Sequence, residues 1–170
     1  MVVLPLFYLI IMATNLSPLG EHTNKNMSND ISTKKFSIIV SEWNDQVTGA
    51  MLQAARESLL ENGALNENIV TKYVPGSFEL TLGAQWEAQK EEVDAVICIG
   101  CVIQGETRHF DFICDAVANG ITNVGLKYNK PVVFGVLTPD TLQQALDRAG
   151  GKHGNKGEEA AVTAIKMLGF

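Results

Sequence analysis

Short apolar-rich runs alternate with longer segments of helical spacing from residue 36 onward. The runs at 96–103 and 131–137 are nearly free of polar side chains, which is typical of strands buried on both faces of a parallel sheet. The pattern predicts strands at 36–40, 69–74, 96–103 and 131–137, and helices at 45–63, 78–90, 110–128, 141–149 and 158–168. This order predicts an α/β fold: a doubly wound, four-stranded parallel sheet in a three-layer α/β/α sandwich.

Residues that favour caps and turns mark the ends of the helices. Asp45 is predicted to cap the first helix and Ser77 the second, because both side chains accept hydrogen bonds from free backbone N–H groups. Gly120 and Gly125 are expected to bend or break the third helix. The glycine-rich segment 150–157 is predicted to be a loop with unusual backbone angles.

The first 35 residues differ from the rest of the chain. Residues 1–11 are apolar, but they are too few to span a bilayer and lack the basic start of a signal peptide. A start at Met12 is the simpler explanation, in which case residues 1–11 are not native. Residues 14–35 are polar and read as an arm that is mobile or ordered only by a partner. We therefore expect an N-terminal extension at 1–35 and a single α/β domain at 36–170.

Composition narrows the choice of partners and compartment. A formal charge of −6 argues against nucleic acid or an anionic membrane as the main partner. The three cysteines provide no even disulfide framework and suit a reducing compartment. Cys98 and Cys101 form a C-x-x-C, but within a strand they project to opposite faces, so core packing is expected rather than a redox dithiol.

The turn after the third strand nearly matches a phosphate-binding loop. Gly100, Gly105 and Thr107 have the spacing of G-x-x-x-x-G-K-[ST], but Glu106 stands where the lysine is required. A carboxylate would repel the terminal phosphates, which excludes a nucleotide triphosphatase. The free N–H groups of Gly105, Glu106 and Thr107 at a helix start can still hold a single anion.

His109 lies in the first turn of the helix that follows this anion site. The positive end of the helix dipole disfavours the imidazolium and so favours a neutral ring that can accept a proton. A histidine bonded only to solvent is the plain alternative, but the neighbouring glycine turn favours a functional role.

Two further turns follow strands directly. Trp43 and Asn44 come after the first strand, where the Trp43 ring can stack on a flat ligand or pack under the helix as a rim residue. Residues 75–79 come after the second strand, and Glu79 suits either the helix dipole or ligand hydroxyl groups. Because the carboxyl ends of parallel strands share one edge, all three turns are expected to converge there.

Together these motifs resemble the lumazine synthase family, which catalyses the penultimate step of riboflavin biosynthesis. The resemblance covers residue 36 to the end of the chain and is carried by Trp43-Asn44-Asp45 and residues 74–80, 100–111, 134–138, 148–150 and 155–157. It implies a transferase that condenses 5-amino-6-(D-ribitylamino)uracil with 3,4-dihydroxy-2-butanone 4-phosphate to 6,7-dimethyl-8-(D-ribityl)lumazine, releasing phosphate and water. It implies no metal and no organic cofactor, because the catalyst positions reactants and moves protons.

The resemblance also implies roles for individual residues. The substrate-binding positions would be Trp43, Asn44, Gly76, Ser77, Phe78, Glu79, Cys101, Val102, Ile103, Phe134 and Lys156. The phosphate-binding positions would be Gly105, Glu106, Thr107 and Arg148. His109 would transfer protons, Trp43 would stack on the pyrimidine, and Asn44 and Glu79 would bind the ribityl chain. The family builds its site between subunits, so Phe134, Arg148 and Lys156 are expected to come from a neighbour.

The resemblance extends to assembly. It implies a homo-pentamer, and the spelling of 150–157 is similar to that of members whose pentamers close into an icosahedral shell of 60 subunits. The arm at 14–35 is expected to add a strand to a neighbour's sheet edge. Riboflavin synthase is a candidate partner, and a cytoplasmic location is expected.

Two positions depart from the family pattern, and one alternative function remains open. Thr81 and Pro139 stand where proline and threonine are common, so the start of the helix predicted at 141–149 is expected to shift. The alternative is a non-catalytic, flavodoxin-like module that binds a flavin or lumazine between Trp43 and Phe134. His109 discriminates between the two functions, because a binding module has no use for a neutral histidine beside an anion site.

Overall fold

The computed structural model describes residues 30–170. The apolar segment 1–11, the start at Met12 and most of the arm at 14–35 lie outside the described residues. Within the described part, Ile31 is 2% exposed and packs into the apolar core, and Lys34 pairs with Asp94 at 3.2 Å. Ile31, a few residues before the first strand, is therefore already packed against the domain.

Four main strands alternate with helices along the chain. The strands are β1 (Phe36–Ser41), β2 (Ile69–Val74), β3 (Ala95–Cys101) and β4 (Val132–Leu137). The helices are α1 (Asp45–Glu61), α2 (Leu80–Ala88), α3 (His109–Tyr128), α4 (Leu142–Asp147) and α5 (Lys156–Leu168). A short 3-10 helix (Asn66–Asn68) precedes β2, and two short strands, β5 (Ala149–Gly151) and β6 (Gly154–Asn155), precede α5.

The four main strands form one parallel sheet in the order β2-β1-β3-β4. This confirms the predicted doubly wound, flavodoxin-like α/β fold. The chain leaves β1 toward β2 on one side and returns to β3 on the other, so the strand order reverses between β1 and β3. Ligands of such sheets bind in the crevice outside the carboxyl ends of the strands at this reversal.

Two apolar layers separate the sheet from its helices. The layer under α1 and α5 contains Phe36 and Met51, and the layer under α2 and α3 contains Leu80 and Ile121; each of these side chains is at most 1% exposed. Within residues 30–170, none of the helices has both the length and the apolar character needed to cross a membrane.

The two cysteines of the C-x-x-C lie in different layers, as the strand period predicts. Cys98 packs under α2 and α3, whereas Cys101 packs under α1 and α5. Burial raises the pKa of the Cys98 thiol to about 12 and that of Cys101 to about 11. Both thiols therefore stay protonated at neutral pH, and core packing accounts for them.

The predicted caps of α1 and α2 are wrong. Asn44, not Asp45, occupies the position before α1, with a left-handed backbone (φ 61°) and no side-chain cap. α2 begins at Leu80 rather than Phe78, and the residue before it, Glu79, makes no side-chain cap either. The Ser77 hydroxyl is buried instead of capping the helix. In both turns, contacts with other strands decide the local geometry.

α3 is one continuous helix, so the expected break at its glycines is wrong. A Cβ built on Gly120 would lie 2.6 Å from Cγ2 of Thr81, so this glycine permits α2 to approach α3. α4 is shorter than predicted, and Thr141 is its cap, accepting a hydrogen bond from the Gln144 N–H at 3.2 Å.

The segment predicted as a loop at 150–157 is a β-hairpin followed directly by α5. β5 and β6 pair antiparallel, and Gly150 and Gly154 adopt φ angles of 110° and 76°, which favour glycine. The Asn155 side chain accepts a hydrogen bond from the Gly157 N–H at 2.8 Å. This cap starts α5 at Lys156, two residues earlier than the predicted Glu158.

Glu87 joins α2 to the sheet through a buried polar cluster. Glu87 is only 3% exposed. Its carboxylate accepts a hydrogen bond from Ser37 Oγ at 2.8 Å and pairs with Lys90 Nζ at 2.7 Å and Lys72 Nζ at 3.1 Å. Burial by itself would raise the pKa of Glu87, but the hydrogen bonds from Lys90, Ser37 and Lys72 together hold the pKa below its usual 4.5. The ionised carboxylate therefore stabilises the fold.

This pairing predicts a pH-dependent effect of Glu87→Gln. Because the folded pKa is below the unfolded value, the contribution of Glu87 is fully present above about pH 4.5 and is lost as pH falls through the folded pKa. We expect the substitution to lower the free energy of unfolding by about 1 to 3 kcal/mol at about pH 7, and by less at about pH 3. Urea unfolding of both proteins measures this. A difference that is equal at both pH values contradicts the pairing.

Candidate active site

The turn after β1 is tied to the end of β3. Asn44 Nδ2 donates a hydrogen bond to the Cys101 carbonyl at 2.9 Å, across the point where the strand order reverses. Its left-handed backbone allows the chain to turn directly into α1. The bond leaves Asn44 Oδ1 as an acceptor for a ligand. Trp43 is 73% exposed, so its ring faces solvent beside the crevice rather than packing under the helix.

The turn after β2 meets the turn after β1. A Cβ built on Gly76 would lie 3.0 Å from Glu79 Oε2 and 3.6 Å from Trp43 Cδ1. The indole, the carboxylate and the bare backbone of Gly76 therefore lie together at one edge of the sheet, as predicted. Phe78 is 54% exposed beside them, whereas Ser77 is buried. An aromatic ring beside hydrogen-bond acceptors suits a flat ligand that carries hydroxyl groups.

The chain after β3 runs beside the end of β4. The Val102 N–H donates to the Leu137 carbonyl at 2.8 Å, and the Gln104 N–H donates to the Pro139 carbonyl at 3.0 Å. The Val102 N–H is therefore not available to a ligand. Val102 and Ile103 are both half-buried.

Gly105, Glu106 and Thr107 form an exposed turn that leads into α3. Within residues 30–170, no hydrogen-bond acceptor is bound to the N–H groups of these three residues. Thr107 Oγ1 accepts a hydrogen bond from the His109 N–H at 3.4 Å. These free N–H groups lie in the turn directly before a 20-residue helix, where the positive end of the helix dipole favours an anion.

His109 is the first residue of α3 and is exposed. It therefore lies directly after the turn formed by residues 105–107, as predicted. The Arg108 side chain contacts its own helix: its Nε lies 3.5 Å from Asp111 Oδ2, and its guanidinium lies 5.9 Å from the centre of the Phe112 ring.

Arg148 and Lys156 share one buried carboxylate that the sequence analysis did not single out. Glu159 is 8% exposed. Arg148 binds it through two nitrogens, with NH1 2.8 Å from Oε1 and NH2 2.9 Å from Oε2, while Lys156 Nζ lies 3.2 Å from Oε2. Arg148 also donates to the His153 carbonyl. The helical spacing of Lys156 and Glu159 in the first turn of α5 is the sequence signal from which this pair could have been predicted.

Glu159 is an anion at neutral pH. Burial by itself would raise its pKa, but the hydrogen bond from Arg148 and the positive charges of Lys156 and Arg148 hold the pKa below its usual 4.5. Lys152 belongs to a separate pair, with its Nζ 3.0 Å from Asp147 Oδ2. The residues that flank the hairpin therefore form one cluster with two cations around a carboxylate, and Lys152 of the hairpin forms a separate pair with Asp147 of α4.

Phe134 and Lys156 line a groove along the open edge of β4. The groove has a volume of about 720 Å³ and is also lined by Thr122, Leu126, Met167 and Phe170. Within the described part of the chain, no hydrogen bond or ion pair links Arg148, Lys156 or Phe134 to the turns at the carboxyl edge. The predicted site residues therefore form two groups, one at the carboxyl edge and one beside β4 and α5.

One further observation concerns metal ions. Residues 30–170 contain no group of three or more histidine, cysteine, aspartate or glutamate side chains placed to hold a metal ion. The two groups of candidate residues instead offer an aromatic ring, hydroxyl-binding acceptors, free N–H groups, two cations and a histidine. Such a set suits the binding of an anionic and a flat polar substrate together with proton transfer.

Comparisons with known proteins agree on one family. Residues 33–170 match the family of 6,7-dimethyl-8-ribityllumazine synthase. The chain is 60% identical over 151 residues to the 6,7-dimethyl-8-ribityllumazine synthase of Cytophaga hutchinsonii, covering 85% of this chain and 95% of that protein. It is 52% identical over 159 residues to the enzyme of the same name from Parabacteroides distasonis, covering 94% of this chain and 99% of that protein. The chain belongs to the 6,7-dimethyl-8-ribityllumazine synthase family.

Proposed function

We propose that this chain condenses 5-amino-6-(D-ribitylamino)uracil with 3,4-dihydroxy-2-butanone 4-phosphate, giving 6,7-dimethyl-8-(D-ribityl)lumazine, phosphate and water in riboflavin biosynthesis. The observation that carries the proposal is the convergence of three turns on one edge of the sheet. The edge combines Trp43 and Glu79 around Gly76 with the free N–H groups of 105–107 and the adjacent His109. Membership of the family makes the chain an enzyme, and its class is transferase.

The pyrimidine substrate fits the part of the edge formed by the first two turns. Its ring would stack on the exposed indole of Trp43. The ribityl hydroxyl groups would donate to Asn44 Oδ1, which the bond to Cys101 holds in place, and to the Glu79 carboxylate beside Gly76. Because the Val102 N–H is hydrogen-bonded to β4, the other backbone groups of Val102 and Ile103 would contact the edge of the pyrimidine.

The phosphorylated substrate fits the third turn. Its phosphate would accept hydrogen bonds from the N–H groups of Gly105, Glu106 and Thr107, with further charge from Arg148. The reaction then needs an imine between the uracil amine and the ketone with loss of one water, elimination of phosphate, and ring closure with loss of a second water. Each step moves protons, and His109 next to the phosphate turn is the group for this transfer.

Mixing the purified protein with both substrates tests the function. We expect lumazine absorbance to grow at a rate proportional to protein concentration and above the uncatalysed rate. The alternative, a flavin- or lumazine-binding module, predicts binding of the lumazine product with no such rate increase, and this result would overturn the proposal.

The two groups of site residues are best explained by a site shared between neighbouring subunits. In this proposal Phe134, Arg148 and Lys156 of one subunit complete the carboxyl edge of the next, in a homo-pentamer. The groove beside β4 supports this, because it leaves Phe134 and Lys156 open to a neighbour. We further propose a cytoplasmic location, consistent with three free cysteines, and riboflavin synthase as a candidate partner.

Arg148→Ala is expected to raise the Michaelis constant for the phosphorylated butanone by about 10-fold or more, because it removes a guanidinium suited to phosphate. The Michaelis constant for the pyrimidine should change little, and Arg148→Lys should restore only part of the loss. Lys152→Ala is the matched control, since it removes a hairpin cation that pairs with Asp147. If Arg148→Ala binds inorganic phosphate as tightly as the parent in a titration, Arg148 does not belong to the phosphate site.

Assembly is expected to proceed to a hollow shell of 60 subunits built from pentamers. The glycine-rich segment 150–157 supports this expectation, because it forms a compact hairpin whose amino-acid sequence resembles that of shell-forming members. Light scattering and negative-stain microscopy at neutral pH measure the particle. A particle of five subunits at every phosphate concentration would refute the shell and leave the enzyme assignment intact.

A further inference from the structure

Two serine hydroxyl groups are buried next to the candidate site without a hydrogen-bond partner. Ser41 is 1% exposed and Ser77 is 6% exposed. Within residues 30–170 these are the two buried side-chain polar atoms that lack a partner. A buried hydroxyl without a hydrogen bond is costly, so such groups in folded proteins are generally bonded to protein or to an ordered water.

The two hydroxyl groups lie in the same corner of the fold. Successive side chains of β1 point to opposite faces of the sheet. Those of Ser37, Ile39 and Ser41 point away from the α1 and α5 layer, so Ser41 faces α2. Ser41 pairs with Val74, the last residue before the turn that carries Ser77. The turn therefore begins beside Ser41 and folds back over the sheet.

Gly100 connects the two serines. A Cβ built on Gly100 would lie 2.7 Å from Ser77 Oγ, so the Ser77 hydroxyl covers the bare face of this glycine. The register of β1 and β3 pairs Val40 with Ile99, which makes Ser41 the neighbour of Gly100 in the adjacent strand. Adjacent strands lie about 4.8 Å apart, so the Ser41 side chain borders the space that Ser77 covers.

We propose that Ser41 and Ser77 hold one buried water between them, and that Ser41 is thereby a positioning residue for the turn 76–79. No direct hydrogen bond joins the two hydroxyl groups. A water needs two to four polar partners in a buried site, and the two hydroxyl groups supply the first two. The bridge fixes Ser77, and Ser77 fixes the backbone of Gly76 on which Trp43 and Glu79 converge.

The proposal rests on the proposed function where it concerns catalysis, because the turn is the part that would hold the ribityl chain. Ser41 itself is too deeply buried to touch a substrate. Its effect on the reaction must therefore appear in pyrimidine binding rather than in the chemical step. A hydroxyl that is simply unsatisfied has the opposite signature, since its removal leaves binding unchanged and stabilises the fold.

The experiment compares Ser41→Ala, Ser77→Ala and the double variant, with Ser37→Ala as control. Ser37 is on the same face of β1 and equally buried, but it bonds Glu87 away from the carboxyl edge. We expect Ser41→Ala to raise the Michaelis constant for the pyrimidine roughly 5- to 30-fold, with turnover changed by less than about twofold. Ser37→Ala should reduce stability without changing either constant.

The double variant tests the shared water. If one water serves both groups, the double variant loses about as much in urea unfolding and in pyrimidine binding as either single variant, because the first substitution already removes the bridge. Effects that add in full, or a Ser41→Ala protein that is more stable with an unchanged Michaelis constant, would overturn the proposal. The unfolding measurements need no substrate, so they judge the water bridge even if the protein forms no lumazine.

Discussion

Gly157→Ala is expected to lower the free energy of unfolding by about 3 kcal/mol or more. A Cβ on Gly157 would overlap the carbonyl of Met51 and lie 2.6 Å from its carbonyl carbon and 2.8 Å from its Cα. These are backbone atoms of α1, so no side-chain rotation relieves the overlap. α1 and α5 would have to separate and open the apolar layer that they share with the sheet.

Gly49→Ala is the matched control for this prediction. Gly49 is exposed on α1, and a Cβ there meets no atom within 4 Å. Alanine favours the helix over glycine, so this variant should gain about 0.5 to 1 kcal/mol. Urea unfolding of both variants separates close packing from helix propensity. Equal changes in the two variants would show that Gly157 is not held against α1.

His109→Ala is expected to lower turnover by roughly 10- to 1000-fold. Acid–base catalysis typically contributes about 10²- to 10⁴-fold, and the uncatalysed condensation leaves residual activity. Substrate binding should change less, because the Trp43 and Gly76 turns do not depend on the imidazole. Turnover is measured from lumazine absorbance with both substrates at saturation.

His153→Ala is the control for His109. It removes an exposed imidazole from the hairpin, where only the backbone carbonyl of His153 contacts Arg148. Its turnover should equal that of the parent. If His109→Ala also retains full turnover at saturation, another group transfers the protons.

Most of the fold could be predicted from sequence because buried parallel strands have an obvious pattern. The ends of α1 and α2 could not, since tertiary contacts decide them. Asn44 adopts its left-handed backbone while its side chain bonds the Cys101 carbonyl, and Ser77 is drawn over Gly100 instead of capping α2. Cap preferences describe an isolated helix, and here a neighbouring strand competes for the same residues.

Part of the candidate site could likewise be predicted from the sequence, and part could not. The three turns at the sheet edge follow from the alternation of strands and helices alone. Glu159 was missed because its partner Arg148 precedes a hairpin, and the sequence of that hairpin resembles a loop. Pairing across a hairpin has no fixed sequence spacing, whereas the pair of Lys156 and Glu159 follows helical spacing. The roles of these residues in catalysis stay predictions.

In the proposed reaction, Arg148 must exchange its partner in the internal ion pair, Glu159, for the phosphate of the substrate. An arriving phosphate must compete with the Glu159 carboxylate for the same guanidinium N–H groups, so part of the attraction is spent on breaking an existing contact. In the proposed reaction, Glu159 would bind the guanidinium again once phosphate is eliminated. The carboxylate would thereby shorten the time for which the released phosphate stays bound, and the site would be free sooner for the next turnover.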